Sequence, residues 1–317
     1  FPIAGHSISI GISIGVATTP FHGTTSKDVM GHADIALYTS KGAGRGCLRM
    51  YEPGMTMEGS GRSALELELL QALAENQFEL FYQPIVRTAT EEVSGYEALI
   101  RWRHPKKGLM SPDSFIPAAE DTNIILDLDR WVLQQACRTM AGRPDDRSVA
   151  VNVSALSLQR PDLPDFLRRT LRETGLSAHR LEIEITESHR AAGAEVVSIL
   201  NDIRGMGIGI AVDDFGTGFS SMSYLMDLPV TRIKLDRRFV SGVATDPRCL
   251  NVVRSSIALA RGLDIDVTAE GIEDRGQLDV IRSLGCRSAQ GYLFGKPAAL
   301  PEYGLQRNQA HPVRAAL

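Results

Sequence analysis

The sequence predicts an α/β fold in which strands and helices alternate to form a closed barrel of the TIM type, preceded by a small α/β segment. Two observations predict it: strand-like runs alternate with helical runs from Phe78 onward, and roughly eight such units are present. Alternation of this kind is typical of βαβ units in a largely parallel sheet. The alternative is an open doubly wound sheet, although no G-x-G-x-x-G pattern follows the first strand.

The chain divides into four predicted parts, a small α/β segment, a linker, the barrel and a tail, over residues 1–55, 56–62, 63–300 and 301–317. In the first part, Ile8–Val16 alternates small with β-branched residues like a strand. Ser26–Lys41 begins with a possible N-cap serine and continues with apolar residues at helical spacing. The linker is rich in glycine and serine, and a helix over Ser63–Ala74 follows it.

Eight strands and five further helices are predicted in the barrel. The strands are expected at Phe78–Val86, Tyr96–Trp102, Val149–Val153, Leu181–Thr186, Ile208–Asp213, Arg232–Leu235, Asp266–Ala269 and Ala289–Phe294. The helices are expected at Arg130–Met140, Leu163–Thr174, Glu195–Met206, Leu250–Arg261 and Gln277–Leu284.

The composition is that of a globular protein with a buried core. Apolar residues make up 43% and charged residues 23% of the 317 residues, which is close to average usage. The net charge of −4 argues against a nucleic-acid polymer as partner, because proteins that bind one carry basic patches. The four cysteines are scattered without C-x-x-C spacing, so we expect neither a zinc site nor a disulfide framework.

These features predict a cytoplasmic domain. Scattered cysteines favour a reducing compartment, no apolar run approaches the roughly 20 residues of a membrane-spanning helix, and no signal peptide opens the chain. The chain begins at Phe1 rather than Met, which indicates an excised fragment, so a membrane anchor in the upstream part of the protein is compatible with this sequence.

Acidic, amide or basic residues recur near the ends of the predicted strands after the first. They are Glu97, Arg101, Asn152, Glu184, Glu187, Asp213, Asp214, Lys234, Asp236, Glu270, Glu273 and Gln290. In a barrel the carboxyl ends of the strands converge on one face, where active sites are built. Carboxylates gathered there repel one another unless a cation lies among them. Oxygen ligands without thiolate or imidazole favour Mg²⁺ or Mn²⁺ over zinc. Each residue alone is compatible with a solvated strand end, but their recurrence predicts a metal site.

From about Leu65 to Pro297 the chain resembles the EAL domain family. The resemblance is carried by FYQPIV, EALIRW, VNVS, LEIEITES, DDFGTGFSS, IKLD, AEGIE and QGYLFGKP. It implies a modified barrel whose first strand runs antiparallel to the others, and hydrolysis of one phosphodiester bond of cyclic di-GMP to give linear pGpG. Residues 1–55 are similar to the tail of a GGDEF domain, in SIGVA and ADIALYTSKGAGR. The GGDEF loop itself is absent from the sequence, so we expect no cyclase activity from this segment.

The resemblance also assigns roles to individual residues. It implies two metal ions with ligands at Glu97, Asn152, Glu184, Asp213, Asp214 and Glu270. It implies catalytic roles for Lys234 beside the attacking water, for Asp213 as the bridge between the ions, and for Glu270 as either ligand or general base. It implies substrate-side groups at Arg101, Gln83, Asp236, Glu273 and Gln290. Glu187 corresponds to the residue that anchors the DDFGTGFSS loop.

The expected cofactor is a pair of Mg²⁺ or Mn²⁺ ions, because two metals neutralise a phosphodiester and lower the pKa of a bridging water. Ca²⁺ is expected to inhibit, because its bonds are longer and its coordination is looser. The Met and Tyr residues of Ser220–Leu228 predict a homodimer contact, although burial in the core explains them equally well. The alternative functions are a module that binds cyclic di-GMP without cutting it and a protein-interaction scaffold, and the complete acidic set argues against both.

Overall fold

The computed structural model describes residues 2–3, 6–7, 12–42, 47–53, 55, 58–186, 193–216, 225 and 227–300. The chain forms two compact units, Phe1–Gln71 and Ala72–Leu317. The domain limits drawn from the sequence, including the linker at residues 56–62, stay predictions. Among the helices of the described residues, none has both the length and the apolar character that a membrane crossing requires.

The first unit contains short strands and two helices. Strands β1 to β4 lie at Pro2–Ile3, His6–Ser7, Ile14–Val16 and Leu48–Met50. The two helices lie at Ser26–Gly42 and Glu58–Ala74. The second helix ends in the second unit. β3 pairs in parallel with β4. Gly15 lies so close to the first helix that a Cβ there would come 2.0 Å from the backbone nitrogen of Leu37, so only glycine permits this packing.

The helix predicted at Ser26–Lys41 is confirmed, whereas two other predictions in this unit are wrong in extent. The strand expected over Ile8–Val16 is seen only from Ile14, where the N–H donates to the carbonyl of Cys47 and pairing with β4 begins; residues 8–11 lie outside the described part. The helix expected from Ser63 begins at Glu58, because glycine lowers helix propensity by only about 1 kcal/mol and does not prevent a helix.

The second unit is a closed mixed barrel, as predicted. Its strands β5 to β13 lie at Phe78–Arg87, Val93–His104, Gly108–Met110, Ser148–Asn152, Leu181–Thr186, Gly209–Phe215, Arg232–Leu235, Asp266–Ala269 and Ser288–Gln290. The order around the barrel is β5-β13-β12-β11-β10-β9-β8-β6, closed by pairing of β5 with β6, while β7 extends β6 as a hairpin. β5 is antiparallel to both of its neighbours, and the other seven strands of the closed barrel pair in parallel, which confirms the modification implied by the resemblance.

Helices connect the parallel strands and cover the outside of the barrel. They lie at Ile116–Asp121, Ile125–Ala141, Ala155–Leu158, Leu163–Thr174, Ala194–Gly205, Arg237–Val240, Pro247–Gly262 and Arg275–Ser283, with 3₁₀ turns at Pro112–Ser114 and Ala178–Arg180. The five predicted barrel helices are all present, with ends that differ by up to five residues.

Alternation along the strands separates an apolar outside from a polar interior. In β11, Ile233 and Leu235 are buried on the side that faces the helix Pro247–Gly262, while Arg232 and Lys234 alternate with them on the interior side. Successive side chains of a strand point to opposite faces, so each strand contributes apolar residues to the outer core and polar residues to the barrel interior. The same alternation places Glu182 and Glu184 of β9 inside.

The last strand is shorter than predicted, because the chain turns directly after Gln290. The strand was expected to run to Phe294, but Phe294 and Gly295 both donate their N–H to the carbonyl of Gly291 and form a turn. A Cβ on Gly291 would lie 2.1 Å from the carbonyl oxygen of Ile272. This close backbone approach directs the chain out of the sheet, and it leaves Gln290 at the carboxyl end of the strand.

Candidate metal centre

The predicted polar residues meet at the carboxyl ends of the parallel strands. A pocket of about 210 Å³ opens there, lined by Gln83, Glu97, Leu99, Asp213, Lys234, Arg237, Glu270, Gly271, Glu273, Gln290, Gly291 and Tyr292. A second pocket of about 650 Å³ shares Leu99 and Asp213 with the first and adds Asn152 and Asp214 to its lining. The acidic residues therefore lie between two pockets.

Lys234 is at the centre of the acidic group. Its side chain is 1% exposed, and Nζ lies 2.7 Å from Glu270 Oε1 and 2.8 Å from Glu184 Oε2. Asp213 Oδ1 and Glu97 Oε2 follow at 3.4 and 3.5 Å. An ammonium has three protons, so it cannot donate a good hydrogen bond to four carboxylates at once. The group therefore carries more negative charge than its single lysine neutralises.

Burial and mutual repulsion shift the pKa values of these groups strongly. Burial alone would lower the pKa of Lys234, but the surrounding carboxylates, Glu184 first, raise it well above its usual value. Burial, together with repulsion from Glu97, raises the pKa of Glu184 well above its ordinary range. Burial raises the pKa of Glu270 to about 8, and the attraction of Lys234 offsets this only in part. Protons thus take up part of the excess charge.

Glu97 differs from its neighbours because amide groups hold both of its oxygens. Asn152 Nδ2 donates to Oε1 at 2.9 Å, and Gln290 Nε2 donates to Oε2 at 2.6 Å. Gln290 also donates to Gln83 Oε1 at 3.0 Å. Burial favours protonation of Glu97, but Lys234 and the two amides outweigh it and lower its pKa. The pKa of Glu97 therefore shifts in the opposite direction to the pKa values of Glu184 and Glu270.

Asp213, Asp214 and Glu270 form a second cluster of oxygen ligands. One carboxylate oxygen from each lies within 4.8 Å of the others. Asp214 adopts a left-handed backbone with φ +54°, which is uncommon for a residue with a Cβ, and its N–H donates to Asp213 Oδ1 at 2.9 Å. Partial desolvation, repulsion from Asp213 and a hydrogen bond to Asp236 raise the pKa of Asp214 to about 6. This spacing suits a divalent ion.

The donor atoms fit a hard divalent cation. Glu184 Oε1 is buried and accepts no hydrogen bond from the described residues, although a buried polar atom normally has a partner. The side chains that surround the cluster offer carboxylate and amide oxygens, and the free cysteines Cys137 and Cys286 are buried outside the pocket lining. An all-oxygen set of this kind suits Mg²⁺ or Mn²⁺.

The remaining predicted site residues occupy different positions around the pocket. Asp236 caps the helix Arg237–Val240 by accepting from the N–H of Arg238 at 2.6 Å. Arg101 is half-buried, with its guanidinium 5.5 Å from the ring centroid of Phe81. Glu273 is exposed at the rim of the smaller pocket. Glu187 and most of the DDFGTGFSS loop lie outside the described residues, so the loop anchor stays a prediction.

Sequence reasoning missed Asp129, which holds the segment after Asn152. Asp129 Oδ2 accepts from the N–H of Ser154 at 3.0 Å and from the hydroxyls of Ser154 and Ser157, both at 2.6 Å. Burial raises its pKa to about 6 in spite of these hydrogen bonds. Asp129 lies in a helix rather than at a strand end, so strand-end reasoning overlooked it. The sequence signal that could have found Asp129 is an acidic residue on the buried face of the helix Ile125–Ala141, directly after Leu128.

The chain is similar in sequence to known proteins. Residues 66–297 match the EAL domain and residues 1–47 match the "Diguanylate cyclase, GGDEF domain". The chain is 40% identical over 303 residues to the bifunctional diguanylate cyclase/cyclic di-GMP phosphodiesterase MucR of Pseudomonas aeruginosa, covering 94% of this chain and 44% of MucR. It is 39% identical over 313 residues to the cyclic di-GMP phosphodiesterase NbdA of the same organism, covering 95% of this chain and 40% of NbdA.

Solved structures show the same fold. The PaMucR phosphodiesterase in complex with c-di-GMP is 40% identical, with a TM-score of 0.72, over 76% of this chain and 99% of that one. The chain spans between 36% and 48% of the length of the curated relatives it matches.

Without divalent ions, we predict that the protein loses stability as the pH rises from about 5 to about 8. Unfolded Glu270 ionises near its ordinary pKa of 4.5, whereas the folded residue has a pKa of about 8. Over this interval the folded state keeps a proton that the unfolded state has lost, so the free energy of unfolding falls with rising pH. Chemical denaturation in chelator at three pH values measures the slope.

The control for this prediction is Glu270→Gln, which removes the titrating group and should flatten the slope. Mg²⁺ should stabilise the parent protein more at about pH 8 than at about pH 5, because metal and protons compete for the same carboxylates. Equal slopes for the parent and Glu270→Gln would contradict a buried, protonated Glu270.

A second prediction concerns Asp129. Asp129→Ala removes the acceptor that fixes Ser154, two residues after Asn152, and we expect Mn²⁺ to bind about tenfold more weakly. Calorimetric titration with Mn²⁺ measures the change. Asp127→Ala in the same helix is the matched control and should bind Mn²⁺ like the parent. Unchanged affinity in a folded Asp129→Ala protein would show that Asn152 does not depend on this anchor.

Proposed function

The chain belongs to the EAL domain family, and on that premise we propose that it hydrolyses cyclic di-GMP to linear pGpG with the help of divalent metal ions. The observation that carries the proposal is the buried group of Glu97, Glu184, Asp213 and Glu270 around Lys234. Its excess negative charge and the unsatisfied Glu184 Oε1 suit metal ions.

Two further observations support this substrate. MucR and NbdA are named as cyclic di-GMP phosphodiesterases, and the PaMucR structure contains c-di-GMP. In this chain, pockets of about 210 and 650 Å³ flank the acidic residues and share Asp213. A ligand with a central sugar-phosphate ring and two bases can extend into both pockets from the metal centre. The curated relatives are much longer than this chain. The activity of the whole protein is therefore part of the same proposal.

We assign the metal ligands as follows. Glu97, Asn152, Glu184 and Asp213 hold one ion, and Asp213, Asp214 and Glu270 hold the other. With Asn152 Nδ2 engaged by Glu97, Oδ1 is the atom of that amide that is left for a cation. Divalent ions held by these residues would supply positive charge against the phosphodiester and would lower the pKa of a bound water molecule.

The protein's own groups position and accept protons. The Lys234 ammonium orients the attacking water and stabilises the charge that develops on the phosphate oxygens. The water oxygen forms a bond to phosphorus, the bond to the 3′-oxygen breaks, and the leaving 3′-oxygen takes a proton from solvent water. Glu270, 2.7 Å from Lys234 Nζ, is the candidate base for the proton that the water loses, as the alternative to its role as a ligand.

The substrate-side assignments follow the same reasoning. Arg101 binds a phosphate as a bidentate donor. Gln290 orients Glu97 and is itself hydrogen-bonded to Gln83, and both glutamines line the pocket. Glu273 lies at the pocket rim, and Asp236 is assigned to the substrate side with it. Glu187 anchors the loop after Asp214.

We also propose Mg²⁺ or Mn²⁺ as the working metal, a cytoplasmic location and a homodimer. The four cysteines are free, which suits a reducing compartment. The dimer contact predicted over Ser220–Leu228 falls mostly outside the described residues. Light scattering at high protein concentration decides the oligomeric state.

The central test is incubation of the protein with cyclic di-GMP and Mg²⁺, followed by chromatography of the products. We expect pGpG from the parent and at least a hundredfold lower rate from Glu97→Ala, because the substitution removes a ligand outright. Glu92→Ala, an exposed glutamate in the turn before the same strand, is the control and should keep full activity. Binding of cyclic di-GMP without any cleavage would favour the sensor alternative.

Ca²⁺ should bind the site without supporting turnover. Its bonds of about 2.3–2.6 Å, against 2.0–2.1 Å for Mg²⁺, widen the site and misplace the attacking water, and a shift near 1 Å costs on the order of a hundredfold in rate. Rates measured with Mg²⁺, Mn²⁺ and Ca²⁺, with substrate binding followed by calorimetry, test this. Turnover in Ca²⁺ as fast as in Mg²⁺ would refute the two-metal assignment.

A further inference from the structure

Arg237 is a cation at the pocket rim that the proposed chemistry leaves without a role. It follows Asp236 at the carboxyl end of β11, is exposed, and lines the pocket together with Glu273 and Tyr292. Among the described residues its guanidinium forms no ion pair or hydrogen bond, whereas the adjacent Arg238 lies 3.1 Å from Asp236. Lys234, the other cation in the lining of this pocket, is buried among four carboxylates.

Close packing against Gly271 fixes the position of the Cβ atom of Arg237. Gly271, one residue after Glu270, has φ +69°, and a Cβ there would lie 2.5 Å from Arg237 Cβ. The glycine therefore lets the stem of Arg237 lie directly against the end of β12. The guanidinium starts from a defined position beside the acidic group although its tip is solvent-accessible.

Three neighbouring strands bring three different chemical groups to this rim. Arg237 follows β11, Glu273 follows β12 and Tyr292 follows β13, and these strands are adjacent in the barrel. Arg237 offers only donors and Glu273 only acceptors, yet no ion pair joins them among the described residues. The ring of Tyr292 is 57% exposed, with Lys296 Nζ over it at 5.3 Å from the centroid.

This set is complementary to guanine. Guanine presents two acceptors, O6 and N7, which are the preferred bidentate partners of arginine. It also presents the donors N1–H and N2–H₂, which a carboxylate accepts, and a flat face that stacks on an aromatic ring. Adenine has a donor in place of O6, so it would place an amino group against Arg237 and a bare ring nitrogen against Glu273.

Arg101 is placed for a different role. It lies on β6, which is separated from β11 by three strands in either direction around the barrel. The two arginines therefore stand on opposite sides of the carboxyl face, with the acidic residues between them. Arg101 serves a phosphate near the centre, and Arg237 is at the side where a base would extend.

We infer that Arg237 is a specificity-determining residue that binds the O6/N7 edge of one guanine of the substrate, with Tyr292 stacking on the base. The inference rests on the proposed function, because it takes cyclic di-GMP as the ligand. It adds a reason for selectivity between cyclic dinucleotides that share the same sugar-phosphate ring.

The test compares Arg237→Gln with the parent, using KM and kcat for cyclic di-GMP and the inhibition constant of cyclic di-AMP as a competitor. We expect KM for cyclic di-GMP to rise about tenfold to a hundredfold, with a much smaller change in kcat and in the inhibition constant. Arg237→Lys should recover part of the loss, because it restores one donor. Tyr292→Ala should weaken both ligands alike, because stacking tolerates any base.

Arg254→Gln is the matched control, since Arg254 is exposed on the outer helix Pro247–Gly262 and should behave like the parent. Equal weakening of both ligands by Arg237→Gln would indicate a phosphate contact and overturn the inference, as would no change at all. Failure of the parent to cleave cyclic di-GMP is a separate result that overturns the proposed function. Calorimetric binding of cyclic di-GMP and cyclic di-AMP to the parent and Arg237→Gln then decides the role of Arg237 without turnover.

Discussion

The rest of this site depends on one constraint, the burial of a single ammonium among four carboxylates inside the barrel. Lys234 contacts Glu184 and Glu270 closely and Glu97 and Asp213 at longer distance. One layer below, Arg232 and Glu182 form a balanced ion pair at 2.9 Å. Carboxylates in a desolvated interior must be neutralised, and here one lysine is too few. The excess is taken up by protons, as the raised pKa values of Glu184 and Glu270 indicate, or by cations.

The antiparallel strand β5, the first strand of the barrel, helps to position Glu97. β5 closes the barrel between β6 and β13, so Gln83 is opposite Glu97 in the register and Gln290 is on the other neighbour. Gln290 reaches both residues, and Asn152 on the far side of β6 donates to the second oxygen of Glu97. Lys234 and these two amides therefore lower the pKa of Glu97, and the amides orient it, while burial raises the pKa values of Glu184 and Glu270. The residues that lie where the barrel closes therefore also contribute to the electrostatics of the site.

In the proposed function, the acidic group and the residues at the pocket rim have different roles. In the proposed function, the acidic group and Lys234 act on phosphorus and its oxygens, which every phosphodiester contains. Arg237, Glu273 and Tyr292 follow three adjacent strands and lie beyond that centre. Loops that follow rigid strands can change side chains without disturbing the barrel. On the proposed assignments, selectivity and chemistry depend on different residues of the same strand ends.

The sequence by itself determined the barrel and most of the residues that meet in its centre. Strand periodicity depends on local alternation, and carboxyl ends of parallel strands converge whatever the details of packing, so Glu97, Glu184, Lys234 and Glu270 were found without coordinates. Only the tertiary structure decided which groups touch. Asp129 holds the segment after Asn152 from a helix, Gly271 sets the position of Arg237, and the last strand ends at Gln290 because of a backbone contact with Ile272. These contacts join residues from different elements, and their distances follow from three-dimensional packing that no local pattern records.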